Sequence, residues 1–325
     1  MKKLFFSASN DVIDQVTDLY DFVWPTASAM WNFRWQIKGF VNEVGSDNIT
    51  DKDLLNRFDW GSGIHGVNLR RACLEKTWIK QQEQFAKFLL INLFAIYEGW
   101  IDALKTTLRF SGNIAKQLQF PQQIKDGKPY GVRNALTHIT TVTSPILQNA
   151  FYPTLLAHSK NSFAQLDNLL ICYRFFKECR NCLAHKGGIA NKRAEESFLE
   201  FTKIASPVNL NAVEVPDHKP VLAGYPVEVS LRGVVGFGDI ILKLVATIDA
   251  EISISQNSEK DFINRFGQWA NSNKGKAKNN LKKELIARKG QMTRILRGLG
   301  LPEPVRTDEI EVLLIKQALL KENYH

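Results

Sequence analysis

The chain has 325 residues, 44% of them hydrophobic, and a formal charge of +9. That length and composition suit about two or three folded units with sizeable cores and exclude a disordered or low-complexity chain. The positive balance favours a polyanionic partner. The longest apolar stretch, residues 88–101, carries Asn92 and Glu98 and is too short to span a bilayer, so no membrane association is expected. The opening Met1-Lys2-Lys3-Leu4-Phe5-Phe6-Ser7 imitates a secretory signal, but its apolar run ends after three residues. With four cysteines (Cys73, Cys172, Cys179 and Cys182) and no such signal, a reducing, cytoplasmic setting is expected.

Residues 1–72 form an aromatic-rich helical region holding four of the seven tryptophans, Trp24, Trp31, Trp35 and Trp60. Val12, Val16, Leu19 and Val23 predict a first helix that stops before Pro25; Met30, Phe33, Ile37, Phe40 and Val44 predict a second. Helical spacing makes these aromatics core residues rather than a base-stacking platform for single-stranded nucleic acid. Thr50-Asp51-Lys52-Asp53 reads as a capped helix start. The glycine cluster at 61–66 lacks the lysine and spacing of a phosphate-binding loop.

A long helix is expected from about Cys73 to Leu108, apolar all round in its middle and therefore central to the core. Glu98 lies in that run, and a charge there needs a partner. Residues 111–160 read as an irregular insertion punctuated by Pro121, Pro129, Pro145 and Pro153. Inside it, Arg133-Asn134-Ala135-Leu136-Thr137-His138 carries an Arg-Asn-x-x-x-His pattern that recurs further on. Here no long amphipathic helix precedes the pattern and no glycine turn follows it.

The second copy has both. Leu166, Leu169, Leu170, Tyr173 and Phe176 make one apolar stripe, and the next turn brings Arg180. An arginine pointing inward keeps its charge, so it requires an anion, and Glu98 is the natural partner. Asn181 and His185, four apart, share a helix face, and Gly187-Gly188 ends the helix. Lys192–Ile204 and Val234–Ile252 are also helical, while Val213, Val215, Val227 and Val229 allow one small hairpin between them. From Lys274 to Arg297, nine basic residues face one acid, Glu284, and Leu281, Leu285, Ile295, Leu296 and Leu299 give this lobe an apolar face. Such a lobe suits phosphate-backbone contact.

Arg180-Asn181, the His five residues after the arginine, the amphipathic helix before and the glycine pair after resemble the R-x4-6-H signature of HEPN ribonucleases. That family supplies toxins of toxin–antitoxin systems and antiviral effectors. The resemblance implies a mainly α, HEPN-like bundle over 73–255 with the 111–160 insertion, flanked by the region 1–72 and a basic helical lobe over 256–325. It implies a metal-independent endoribonuclease with no cofactor, cutting RNA such as tRNA or mRNA and leaving a 2′,3′-cyclic phosphate and a 5′-hydroxyl. His185 moves protons, Arg180 stabilises the phosphorane, Asn181 orients the histidine or the phosphate, and Glu98 completes the site. Lys186, Lys282, Lys283, Arg288 and Lys289 are the expected substrate contacts. At about 100° per residue, Arg180 and His185 lie roughly 140° apart on a straight helix, so they converge on one phosphate only if the helix bends or two chains share the site. The resemblance implies the latter, a homodimer whose two motifs face one cleft. An antitoxin or defence-system partner protein would accompany it.

Rival readings remain at this stage. Cys172, Cys179, Cys182 and His185 include a C-x2-C pair, but four ligands on one helix do not close on zinc. A thiol nucleophile, a non-catalytic HEPN-like nucleic-acid-binding or interaction module, and a DNA-binding regulator using the basic lobe complete the set.

Overall fold

The computed structural model describes residues 3–59, 61–272 and 280–322. Its frame is three long helices, α1 (Ser7–Val44), α3 (Trp78–Leu108) and α10 (Leu231–Ser253), together with α8 (Leu166–His185). α3, α8 and α10 pack on one another, α1 lies along α3 and α10, and α9 (Lys192–Ile204) folds back on α8. The centre is aromatic. Phe94 and Tyr97 of α3 meet Tyr173 of α8 at 5.1 and 4.9 Å between ring centroids, and Phe237 of α10 stacks on Phe94 and Phe176 at 5.1 and 4.6 Å. Burying each such ring contributes about 1.5–3 kcal/mol, which makes this contact the main reason the three helices associate.

The mainly helical reading holds, with differences in detail. α1 runs unbroken through Pro25, where two helices were expected. Proline removes one ladder donor, but the neighbouring Thr26 hydroxyl donates to the Phe22 carbonyl and the helix is held at both ends. Its first half buries Val12, Val16 and Val23 in the main core; its second half buries Ile37 and Val41 in a separate cluster with Ile49, Leu54, Leu69 and Cys73. Trp24, Trp31 and Trp35, expected in the core, are instead exposed along α1. α2 (Asp51–Phe58) joins that cluster through Leu54, and its Thr50–Asp53 capping box is present as expected. α3 starts at Trp78 with Thr77 as its cap, after a π-helical turn over Arg70–Glu75. It is not apolar-buried all round, since Phe88 and Ile91 stay exposed.

The 111–160 insertion is more ordered than its prolines suggest. It holds α4 (Gly112–Gln117), α5 (Val132–Ile139), α6 (Pro145–Ala150) and α7 (Tyr152–Leu156). Between α4 and α5 lies the antiparallel hairpin of β1 (Gln123–Lys125) and β2 (Lys128–Tyr130). The hairpin is thus here and not between Val213 and Val229, a stretch that forms no strand. Asp126 and Gly127, with φ of 52° and 72°, make its two-residue turn. Gly131 follows with φ 128°, and a Cβ there would sit 2.3 Å from the Pro121 carbonyl oxygen.

The C-terminal elements are α11 (Gln256–Asn271), β3 (Asn280–Leu281), α12 (Leu285–Gly298), α13 (Thr307–Lys316) and β4 (Lys321–Glu322), which pairs in parallel with β3. Phe262, Phe266, Met292, Ile295, Leu296 and Ile310 bury in the same main core as α3, α8 and α10. Leu285, expected on the apolar face, is instead exposed at the start of α12. At the other end of the chain, the fully buried Asp249 of α10 accepts hydrogen bonds from Phe5 N at 2.8 Å and Phe6 N at 3.1 Å, anchoring the entry to α1. No described helix is long and apolar enough to cross a membrane.

Candidate functional site

The site is built where α8 crosses α3. The α8 stripe buries Leu166, Leu169, Leu170, Tyr173 and Phe176, and the following turn presents Arg180 towards α3. Arg180 Nη2 donates to Glu98 Oε1 at 2.9 Å, and its guanidinium lies over the Phe94 ring at 5.1 Å. The pairing of Glu98 with Arg180 is as the sequence suggested. The same carboxylate oxygen also takes Lys177 Nζ at 2.9 Å, so two cations share one acid. Lys177 Nζ donates in addition to Gln119 Oε1, which also accepts from the Tyr173 hydroxyl at 3.4 Å. Burial holds the Lys177 ammonium below the ordinary lysine range, against the pull of Glu98. Arg180 Nε is the only wholly shielded side-chain nitrogen or oxygen without a partner among the described residues.

A second pair continues the network on the α8 surface. Arg174 Nη2 donates to Glu178 Oε1 at 2.6 Å, and Asn181 Nδ2 reaches Glu178 Oε2 at 3.4 Å. Asn181 is therefore turned towards Glu178. His185 is exposed and makes no side-chain hydrogen bond among the described residues, and Asn181 is turned to Glu178, so the expected Asn181–His185 partnership is absent within one chain. α8 stays helical through His185, and Lys186 caps it, exposed. Gly187 and Gly188 then adopt φ of 62° and 83°, with Gly188 N returning to the Cys182 carbonyl at 3.0 Å. Val227 N donates to the Gly188 carbonyl at 2.7 Å, which ties this turn to the segment before α10.

The structure thus joins Glu98 to Arg180 and leaves His185 apart from them. Lys177, Arg174, Glu178 and Gln119 were missed. Lys177 carried a signal, since it lies three residues before Arg180 on the same helix face. Of the basic lobe, Lys282, Lys283 and Lys289 are exposed on or before α12, whereas Arg288 is half-buried, donating to the Lys282 carbonyl at 2.9 Å with Glu311 at 3.7 Å. Lys274, Lys276 and Lys278, and Trp60 of the aromatic region, lie outside the described residues. The cysteines are buried free thiols, and burial pushes those of Cys172 and Cys179 well above their ordinary range. Such thiols stay protonated near neutrality and are poor nucleophiles.

No protein-family model, curated protein or solved structure matches the chain.

Proposed function

We propose that this chain is a metal-independent endoribonuclease of the HEPN type, a cytoplasmic toxin or antiviral effector acting on RNA as a homodimer. The observation that carries the reading is the tethered Arg180: Nη2 is fixed by Glu98 at 2.9 Å, while 18% of the side chain stays exposed beside that contact. Such an arginine is held in place with part of its side chain open to a phosphate. His185, solvent-facing at the end of the same helix and without a side-chain hydrogen bond among the described residues, is placed to move a proton.

In the reaction, the substrate 2′-hydroxyl gives its proton to a histidine base and its oxygen attacks the adjacent phosphorus. The phosphorane charge falls to Arg180, with Asn181 as a further donor and Lys186 on the neighbouring phosphate. The bond to the 5′-oxygen breaks, and that oxygen takes a proton from an acid. The products are a 2′,3′-cyclic phosphate and a 5′-hydroxyl, with no change of oxidation state. Lys282, Lys283, Arg288 and Lys289 hold the strand electrostatically. The test is incubation of the purified protein with RNA in the presence of EDTA. Cleavage with cyclic-phosphate ends, lost in His185→Ala, supports the reading; cleavage that requires Mg²⁺ overturns the mechanism.

One observation favours a second reading. Arg180 is already paired with Glu98 and its face covered by Phe94. In a non-catalytic binding module this pair would serve only to join α3 to α8. Intact RNA after prolonged incubation, together with RNA retention on the protein, selects that reading.

A further inference from the structure

The insertion contains a cleft that plays no part in the reaction above. It encloses about 810 Å³ between α4, the β1–β2 hairpin and α5. The first Arg-Asn-x-x-x-His copy borders it, but not through its arginine. Arg133 Nε donates to Asp167 Oδ2 at 2.7 Å, and the guanidinium lies over the Phe163 ring at 5.1 Å. Asn134 and His138, four apart on α5, share a face and line the cleft.

Gln117 of α4 also lines it and is only 3% exposed. Gln117 Oε1 accepts from Gly131 N at 3.2 Å and from Asn134 Nδ2 at 2.7 Å. A backbone N–H can only donate, so the orientation of the glutamine amide follows from its contact with Gly131. Asn134 must then present its nitrogen to Gln117. Two atoms are left over, the donor Gln117 Nε2 and the acceptor Asn134 Oδ1, and neither has a partner among the described residues. Because Gln117 Nε2 is not among the wholly shielded unpaired atoms, it opens onto the cleft rather than into the core. A donor on so buried a side chain calls for an acceptor.

The hairpin supplies charge. Its register sets Lys125 directly opposite Lys128, and like charges in that position repel. The Lys125 ammonium lies over the Tyr130 ring at 5.2 Å. Asp126 at the turn is the lining acid, and His138 of α5 lines the cleft as well. A cationic rim, an aromatic ring and a donor–acceptor couple on the floor therefore meet in one cleft, whose volume lies within the roughly 300–1,000 Å³ of small-molecule sites.

We propose that this cleft binds a nucleoside phosphate. Lys125 and Lys128 take the phosphate, which relieves their mutual repulsion. Gln117 Nε2 and Asn134 Oδ1 take the acceptor and donor that stand side by side on the pairing edge of a base. All four common bases offer such a couple, so the floor recognises a base without choosing one. The ligand is either a free mononucleotide or one nucleotide of an RNA strand. The site does not depend on the ribonuclease reading, since binding here requires no cleavage.

The experiment is calorimetric titration of the full chain with the four nucleoside 5′-monophosphates, the corresponding nucleosides, inorganic phosphate and a 5′-phosphorylated dinucleotide. Monophosphates are expected to bind at least tenfold tighter than either the nucleosides or phosphate. The Lys125→Glu/Lys128→Glu variant, altered only on the exposed rim, should weaken them at least tenfold with its thermal unfolding unchanged. Gln117→Met should weaken base-bearing ligands while leaving phosphate binding as it was; if that variant fails to fold, Asn134→Ser serves the same comparison. A dinucleotide that binds tighter than the monophosphates assigns the site to RNA, and one that does not assigns it to free nucleotide. No heat of binding with any monophosphate at millimolar concentration, or binding indifferent to the lysine exchange, overturns the proposal.

Discussion

Arg180 Nη2 and Lys177 Nζ both close on Oε1 of Glu98, each at 2.9 Å, so a single carboxylate pairs with two cations of α8 from across the α3 interface and leaves one net positive charge. Removing that carboxylate leaves two partly buried cations facing each other. Glu98→Gln is expected to destabilise the fold by about 2 kcal/mol, less than for a fully buried pair because the site retains some solvent. Equilibrium urea denaturation measures this. A double-mutant cycle between Glu98→Gln and Arg180→Lys should show coupling of about 1 kcal/mol or more. Additive effects would mean that the pair does not join the helices.

His185 should behave in the opposite way. It is exposed, and its side chain makes no hydrogen bond among the described residues. His185→Ala is expected to change stability by less than about 0.5 kcal/mol while abolishing RNA cleavage under the proposed function. His138→Ala should leave cleavage intact. Equal loss at both histidines would show that the two copies of the motif share the work.

The α8 site was legible to the extent that one helix face states its needs. An apolar stripe ending in Arg180, and an acid stranded in an apolar run at Glu98, each demand what the other offers. Context that comes from outside the element was not legible. Pro25 reads as a stop, yet α1 continues because its two halves are each buried in a cluster made by distant residues. The hairpin was hidden by strands of three residues, although Asp126-Gly127 was its signal. Asp249 gave no sign that it would hold the backbone of Phe5 and Phe6, because the pairing spans almost the whole chain. The cleft beside α5 followed from amide orientations that no spacing rule reports.

Asp249 also makes stability depend on pH. Burial pushes its carboxyl up from 3.8 to about 6, against hydrogen bonds from Ser9, Phe5 and Phe6 and the nearby Arg265. The folded chain therefore holds this proton more tightly than the unfolded one. Its contribution is full below about pH 4 and is lost as pH rises through about 6, a change of roughly 3 kcal/mol at 1.36 kcal/mol per unit. The stability of the wild-type chain minus that of Asp249→Asn, measured by denaturation at several values between pH 4 and 7, should fall across that window. A flat difference would show that the carboxyl titrates normally.

Gly131 is held at φ 128° with the Pro121 carbonyl oxygen where a side chain would begin. Gly131→Ala should destabilise by about 2–3 kcal/mol, combining backbone strain with a clash against rigid backbone. Because Gly131 N also orients Gln117, the same variant should weaken nucleoside-phosphate binding in the insertion cleft. Full stability in thermal unfolding would show that the hairpin shifts freely.

The homodimer proposed here is motivated by α8 remaining helical to His185. Arg180 faces α3 with 18% of its side chain exposed, whereas His185 faces solvent. Residues five apart on such a helix diverge by roughly 140°, so one chain does not bring both to one phosphate. A two-fold axis that sets two copies of the α8 end against each other would let one chain's His185 approach the other's Arg180. The surface beside His185 suits that contact. Ile189 and Tyr225 are exposed there, and the Ala190 N to Tyr225 carbonyl bond at 2.8 Å holds them in one patch. In an isologous contact the same residues meet across the axis, so Ile189→Asp would place like charges opposite each other. That variant should sediment as a monomer, remain folded and lose cleavage. The wild-type chain should lose specific activity on dilution over the same range in which its mass halves. A monomer with full activity would sink the shared site.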